Sequence, residues 1–232
     1  MSVLIISAAS IAFFHTLFGP DHYLPFIVIA KAKKWSMKRT FTITTLCGIG
    51  HVLSSIVLGT IGILFGLALH HIQMIESVRG DIAAYLLIAF GLVYGVWGIR
   101  KALKNQAHSH LHFHRDGRFH FHRHTHNDEH AHIHTDELKS LTPWILFIIF
   151  VFGPCEPLIP LFMYPAAQGQ WLSLIVVTSV FSLITIATML TVVGLSVRGL
   201  QLLPLAKFER YMHALAGFTI FLSGLAIVFL GL

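Results

Sequence analysis

Phe18-Gly19-Pro20-Asp21-His22 and Phe152-Gly153-Pro154-Cys155-Glu156 are two similar stretches, one in each half of the chain, and each interrupts a long apolar run. Proline removes a backbone donor and clashes with the carbonyl four residues earlier, so each Gly-Pro pair predicts a broken helix. Asp21 and Glu156 follow the breaks, and we interpret them as the only acidic residues within an apolar span of their halves. A charged side chain at membrane depth is costly and marks a functional site. Two such breaks in corresponding positions predict a transporter substrate site near the bilayer midplane.

The composition is that of a membrane protein. The chain has 232 residues, of which 55% are apolar and only 11% are charged, with a net charge of +6. The apolar runs occupy nearly the whole length, so we expect one integral, multi-pass membrane domain. Two cysteines, Cys47 and Cys155, both lie in apolar stretches, which argues against a disulfide framework. The first residues are apolar without a basic start, so they are better read as a first span than as a signal peptide.

Six membrane spans are predicted from the apolar runs. The predicted spans are 3–30, 40–69, 81–100, 142–166, 171–197 and 211–231, each long enough for one crossing. Fifteen of the sixteen lysines and arginines lie in or beside the loops after spans one, three and five, and only Arg79 lies on the other side. The positive-inside rule puts these loops in the cytoplasm and both termini outside. The basic charge therefore reports topology rather than nucleic-acid binding, and we expect a bacterial or archaeal plasma membrane.

The two halves predict an inverted repeat. Three spans precede the long central loop and three follow it, and the halves enter the membrane from opposite sides. The expected fold is an all-α membrane protein with six transmembrane helices, arranged as two inverted three-helix repeats whose first helices are broken. Residues 1–100 form the first repeat, 101–140 the loop and 141–232 the second repeat. The alternative is two unrelated proline kinks, which membrane helices tolerate. A homo-oligomer is compatible with the sequence.

The side chains near the breaks suit a transition metal. Imidazole, carboxylate and thiolate together favour a borderline divalent ion such as Ni²⁺, Co²⁺, Zn²⁺ or Fe²⁺. Glycines before the histidine of span two let a neighbouring helix approach and turn that histidine into the bundle. The candidate ligands are His15, Asp21, His22, His51, Cys155 and Glu156. For a single histidine or cysteine, the alternative is an ordinary packing residue.

The central loop is rich in histidine. Eleven of the seventeen histidines lie in it, a density typical of metal-binding tracts. They are His108, His110, His112, His114, His120, His122, His124, His126, His130, His132 and His134. We expect an accessory metal buffer or sensor in the cytoplasm, with a possible hairpin around Asp116-Gly117. The alternative is a solvated linker.

His15-x5-Asp21-His22 and Gly50-His51 resemble the motifs of the nickel/cobalt transporter families, in which the first spacing is one residue shorter. The mid-chain histidine-rich loop is similar to that of their efflux branch. Gly153-Pro154-Cys155-Glu156-Pro157 resembles a motif of the related urease-accessory, sulfite-exporter-like and thiol-relay membrane proteins. The resemblance implies a small transporter of the LysE-type superfamily, built from three-helix repeats.

Transition-metal transport, more plausibly export, is the leading hypothesis. The metal ion is then the substrate, and the protein is embedded in the lipid bilayer. No further cofactor is expected. Neither a phosphate-binding loop nor a nucleophile–base pair stands out, so we expect no ATPase and no enzyme. Two alternatives stay open: export of a sulfite-like anion, which two buried carboxylates oppose, and a thiol–disulfide relay, for which Cys47 and Cys155 are the only pair.

Overall fold

The computed structural model describes the backbone of residues 1–104, 108–113, 119–124, 135–202 and 210–230, and the side chains of 1–103, 141–200 and 210–230. Eight α-helices and one short hairpin make up these parts of the chain. In chain order they are α1 (Ser2–Phe18), α2 (Leu24–Ala32), α3 (Met37–Leu64), α4 (Leu69–Lys104), β1 (His108–Phe113), β2 (Phe119–His124), α5 (Thr135–Phe152), α6 (Leu158–Ala167), α7 (Trp171–Leu202) and α8 (Met212–Leu230).

The apolar helices confirm a multi-pass membrane protein. Among the described residues, α3, α4, α7 and α8 are each long and apolar enough to cross a bilayer. Residues 2–18 and 20–32 pass the same test together as one bent span, which gives up to five. The apolar part of α5 and all of α6 are shorter than a span. The arrangement of six spans as two inverted repeats is not confirmed and stays a prediction, as do the locations of the termini and loops.

The first predicted break is confirmed. Helix α1 ends at Phe18, a single 3₁₀ turn covers Pro20–His22, and α2 begins at Leu24. The amide of Gly19 still donates to the carbonyl of His15 at 3.0 Å, but Pro20 has no amide with which to continue the helix. The chain bends by 82° at this point. The bend brings the residues after the break back toward the end of α1.

The second break is held by an arginine from another helix. Helix α5 ends at Phe152 and α6 begins at Leu158. Arg79 of α4 donates hydrogen bonds to the carbonyl oxygens of Val151 at 2.7 Å and Gly153 at 3.4 Å. Backbone groups freed by a break inside a membrane need a partner from the protein, because lipid offers none. Arg79 is that partner.

Helix α4 corrects the predicted third span. It begins at Leu69 rather than at residue 81, so Glu76 and Arg79 lie within an apolar helix. Glu76 is fully buried, and Arg79 donates to one of its carboxylate oxygens at 2.6 Å. The interpretation of Asp21 and Glu156 as the only acidic residues in apolar spans was therefore wrong. The charges of Glu76 and Arg79 make this segment resemble a loop in sequence. In the helix they are stabilised by their ion pair and by the carbonyls of the second break.

Glycines bring α4 and α8 into backbone contact. A Cβ atom added at Gly217 of α8 would lie 2.2 Å from the amide nitrogen of Gly95, and one at Gly91 would lie 2.3 Å from that of Phe221. Gly98 of α4 similarly faces the backbone of Ala214. Small residues at such positions are the usual means by which membrane helices pack closely. Helices α4 and α8 therefore form one tightly joined pair, whereas α1 packs chiefly on α7.

The histidine-rich loop contains the hairpin that its sequence permits. Strands β1 and β2 pair antiparallel, with His108 opposite His124, His110 opposite His122 and His112 opposite His120. Of the remaining predicted accessory ligands, His114, His126, His130, His132 and His134 lie outside the described residues. Accessory metal binding by this loop stays a prediction.

Candidate functional site

Three histidines meet at the first break. His15 lies in the last turn of α1, His22 ends the 3₁₀ turn, and His51 lies in the middle of α3. One ring nitrogen from each can be chosen so that all three lie within 4.8 Å of one another. The ring centroids of His22 are 4.8 Å from those of His15 and 5.0 Å from those of His51. The bend at Gly19-Pro20 produces this cluster, because it folds His22 back beside His15.

Hydrogen bonds orient the central ring. Nδ1 of His22 lies 3.1 Å from the carbonyl oxygen of Gly19 and 3.1 Å from Oδ1 of Asp21. Both oxygens are acceptors here, so Nδ1 carries a hydrogen, and in the neutral form of the ring the lone pair is then on Nε2. Nε2 is buried and has no partner. A carboxylate that holds a histidine in this way is the usual outer partner of a metal ligand, because it fixes the tautomer and raises the basicity of the other nitrogen.

The third ring is held by close helix packing. His51 is 3% exposed, neither Nδ1 nor Nε2 has a partner in hydrogen-bonding geometry, and the carbonyl of Phe150 lies near the ring. A Cβ at Gly50 would lie 2.9 Å from side-chain atoms of Phe147, and one at Gly153 would lie 3.2 Å from Nδ1 of His51. These two glycines therefore let α3 and the second break approach each other around the ring.

The cluster has the dimensions of a metal site. Zn²⁺ binds imidazole nitrogens at about 2.0–2.1 Å, so three ligands of a tetrahedral ion lie roughly 3.4 Å apart. The three nitrogens lie within 4.8 Å of one another. Side-chain rotations that shorten these separations by roughly 1.4 Å or less would therefore give the geometry of a tetrahedral ion. Ring nitrogens of His15, His22 and His51 that are buried without a partner are otherwise costly. Three imidazoles also leave a fourth position open for water or a passing ligand.

Both breaks line one cavity. It has a volume of about 500 Å³ and contains the three histidines, Asp21 and Glu156 on its walls. The Asp21 side chain is 27% exposed, and Glu156 is exposed. The structure thus brings five of the six predicted site residues to one cavity, and Asp21 is hydrogen-bonded to His22. Whether these residues bind a metal stays a prediction.

The cysteines lie elsewhere. Cys155 is fully buried but does not line the cavity; it packs with Val52, Leu158 and Phe181 in a small apolar cluster. Cys47 is 1% exposed and belongs to a different cluster around α2 and α5. Both thiols are free. The predicted role of Cys155 as a metal ligand therefore finds no geometric counterpart.

Sequence reasoning missed the residues that α4 contributes. Ser77, Gly80 and Asp81 line the cavity near the second break, and a Cβ at Gly80 would lie 2.9 Å from Pro154. Glu76 and Arg79 support the same break from outside the cavity lining. The signal in the sequence is the run of polar residues next to an apolar helix, a pattern that is also typical of a loop.

The fold and the site define the class of the protein: it is an integral membrane protein with interrupted helices around a polar cavity. The sequence of residues 25–226 matches the family described as the cytochrome c biogenesis protein transmembrane region, and the chain belongs to that family. The expected membership in the nickel/cobalt transporter families was therefore wrong, because that resemblance depended on a few motif residues. No curated protein and no solved structure matches the chain.

The family match also bears on function. It gives no support to metal export and agrees better with the alternative of a thiol–disulfide relay. The matched region begins after the first break, so it includes His51, Cys47 and Cys155 but not His15 or His22. Two of the three clustered histidines therefore lie outside the part of the chain that defines the family.

Proposed function

We propose that this chain binds a divalent transition-metal ion within the membrane at His15, His22 and His51 and passes it across the bilayer as substrate. The observation that carries the proposal is the cluster of three ring nitrogens within 4.8 Å of one another. Imidazole suits Zn²⁺, Co²⁺, Ni²⁺ and Fe²⁺, and Asp21 supplies the outer carboxylate that such sites use. The broken helix supplies two of the three ligands, and substrate sites in many transporters are likewise formed at broken helices.

The charge of the cavity favours a cation over a sulfite-like anion. Asp21, Asp81 and Glu156 all line it, and its described lining includes no lysine or arginine. Arg79, next to Gly80 of the lining, is engaged by Glu76 and by the carbonyls of the second break. An anion would meet three carboxylates without a compensating charge, whereas a divalent cation would be attracted by them.

Flux through proteoliposomes tests the proposal. Entry of Co²⁺, Zn²⁺, Ni²⁺, Fe²⁺ and sulfite is measured for the wild type, for His22→Ala and for His71→Ala. His71 is an exposed histidine outside the cluster, so its variant is the matched control. We expect cation flux in the wild type and in His71→Ala, and loss of flux in His22→Ala. Sulfite entry without cation entry, or undiminished cation flux in His22→Ala, contradicts the proposal.

A thiol–disulfide relay is the second candidate, and the family match is the observation that favours it. Its chemistry needs a dithiol to be oxidised to a disulfide while a partner disulfide is reduced, with two electrons and two protons transferred. Cys47 and Cys155 are the only thiols available for that exchange. They lie in separate apolar clusters, so a relay requires a rearrangement that brings them together.

Cysteine substitutions separate the two candidates. Cys47→Ser and Cys155→Ser each abolish a relay but leave the three imidazoles untouched. The redox state of the thiols is read from the mass shift produced by a maleimide reagent, and Co²⁺ flux is measured in the same preparations. Metal transport predicts that flux persists in both variants. A relay predicts a Cys47–Cys155 disulfide in the oxidised wild type and no metal flux.

A further inference from the structure

The residues that line the cavity range from exposed to buried. Asp81, near the second break, and Glu156, just after it, both line the cavity and are exposed. The side chain of Asp21 is 27% exposed, which is less than those two carboxylates and more than His22. The inner end is formed by His22 and His51, each 3% exposed and each with an unpartnered ring nitrogen. Exposed carboxylates and buried imidazoles therefore share one cavity.

The buried part of the cavity is lined by apolar side chains as well as by imidazoles. Leu87 of α4 and Ile149 and Phe150 of α5 line the inner wall and are almost completely buried. The ring of Phe150 packs on that of the fully buried Phe26, with centroids 4.7 Å apart. Leu87 lies roughly 9 Å farther along α4 than Asp81, at 1.5 Å per residue, so this layer lies beyond the acidic part of the cavity.

We propose that the Asp81–Glu156 end of this cavity is an acidic vestibule that admits a hydrated divalent cation to the histidine cluster from one side of the membrane. This inference rests on the proposed function and deepens it, because it assigns the side of access and the role of Asp81. Carboxylates in a narrow cleft concentrate cations and speed their capture, and the effect weakens as ionic strength rises. The unpartnered imidazoles then replace part of the hydration shell of the ion. By the charge of the loops, the open side is the outer one.

Asp81 is positioned for this role by backbone packing. Its neighbour Gly80 lies so close to Pro154 that a Cβ would come within 2.9 Å of the proline ring. Arg79, on the other side of Gly80, is hydrogen-bonded to the carbonyl of Val151. The start of α4 is therefore fixed against the second break, and Asp81 and Glu156 face the same cavity.

Saturation kinetics of Co²⁺ uptake by the full-length chain test the role of Asp81. For Asp81→Asn we expect a KM raised about fivefold or more at low salt, with a maximal rate within about twofold of the wild type. High salt narrows the difference in KM, and Asp81→Glu restores the wild-type value because it keeps the charge. A KM for folded Asp81→Asn equal to that of the wild type at low salt overturns the vestibule. A difference in KM between Asp81→Asn and the wild type that does not change with salt also overturns the vestibule.

Cysteine labelling tests the side of access without relying on transport. Ser77→Cys, in the cavity, and Val78→Cys, exposed outside it, are placed in a Cys47→Ser, Cys155→Ser background. A membrane-impermeant cationic thiol reagent applied from the outer side is expected to label Ser77→Cys faster than Val78→Cys. Labelling of Ser77→Cys only from the cytoplasmic side overturns the proposed access. If the wild type moves no metal while this labelling pattern holds, the proposed function fails and the open cavity stands.

Discussion

Oδ1 of Asp21 lies 3.1 Å from Nδ1 of His22, and Nε2 of the same ring, which packs against His15, is buried without a partner. The Gly-Pro break places the two residues side by side in one 3₁₀ turn. Without the break, the continuous helix would separate His22 from His15 by nearly two turns. The break is thus the structural cause of the candidate site.

Replacement of the outer carboxylate is expected to weaken metal binding without removing a ligand. Asp21→Asn keeps the size of the side chain but lowers its power to polarise the ring of His22. Loss of such an outer partner typically costs 10–100-fold in metal affinity, and we expect a decrease of that order in Co²⁺ affinity. The measurement is the visible absorption of bound Co²⁺, with His71→Ala as control so that binding by the loop histidines cancels. An unchanged affinity in Asp21→Asn contradicts the assigned role of Asp21.

Removal of the His51 ring is expected to stabilise the metal-free protein while it abolishes binding. Both ring nitrogens are buried without partners, and each such group costs about 1–3 kcal/mol. His51→Leu fills a similar volume without polar atoms, so its thermal midpoint in detergent should exceed that of the wild type when a chelator is present. The wild type alone should gain stability when Zn²⁺ is added. If the thermal midpoint of His51→Leu in chelator is lower than that of the wild type, His51 stabilises the metal-free protein and its role is structural.

The glycine contact between α4 and α8 is expected to be intolerant of a single methyl group. In Gly217→Ala, the new Cβ meets the backbone of Gly95, which cannot rotate away as a side chain can. Overpacking of this kind costs about 1–3 kcal/mol, and more where the backbone must separate. Gly199→Ala is the matched control, because it lies in helix α7 with no atom near its Cβ position. We expect the control to be neutral or slightly more stable on unfolding in detergent, and equal stability of the two variants would contradict the packing.

The buried pair of Glu76 and Arg79 is expected to tolerate joint replacement better than single replacement. Arg79→Met leaves Glu76 buried without its partner and also frees the break carbonyls, and such a loss costs about 3–5 kcal/mol. The double variant Glu76→Leu with Arg79→Met removes the unpaired carboxylate and should recover part of that loss. Unfolding of both variants and of Glu76→Leu alone gives the coupling free energy. A double variant as unstable as the sum of the single ones indicates that Glu76 and Arg79 do not interact.

Deletion of residues 108–134 is expected to lower apparent metal affinity or regulation without abolishing transport. The three clustered imidazoles lie in α1, the 3₁₀ turn and α3, and none comes from the loop. Co²⁺ flux by the deletion variant at saturating metal should therefore approach that of the full chain. Complete loss of flux in correctly folded protein would mean that the loop histidines belong to the transport path itself.

Features that depend on local chemistry could be predicted from the sequence. Helices α1 and α5 each end where a Gly-Pro pair removes the amide that would continue the helix. Both breaks could therefore be predicted at the right residues. His51 was correctly placed facing the bundle, because neighbouring glycines let α5 and α7 pack closely on α3. The grouping of His15 with His22 also followed from the break that lies between them.

Features that depend on distant partners could not be predicted. The segment before residue 81 is polar enough to resemble a loop, and it is helical because Glu76 and Arg79 stabilise each other and the carbonyls of the second break. Cys155 follows a break in sequence but turns into an apolar cluster with Phe181. The family was misassigned because motif residues are few, whereas membership is defined by residues 25–226 together.

Backbone contact between α4 and α8 has a practical use for observing this protein at work. Two helices in contact through glycines have no layer of side chains between their backbones, so we expect α8 to follow any displacement of the helix that holds Asp81. A fluorophore or spin label on the lipid-facing side of α8, for example at Phe218, would thus report opening and closing of the cavity from a position that touches no ligand.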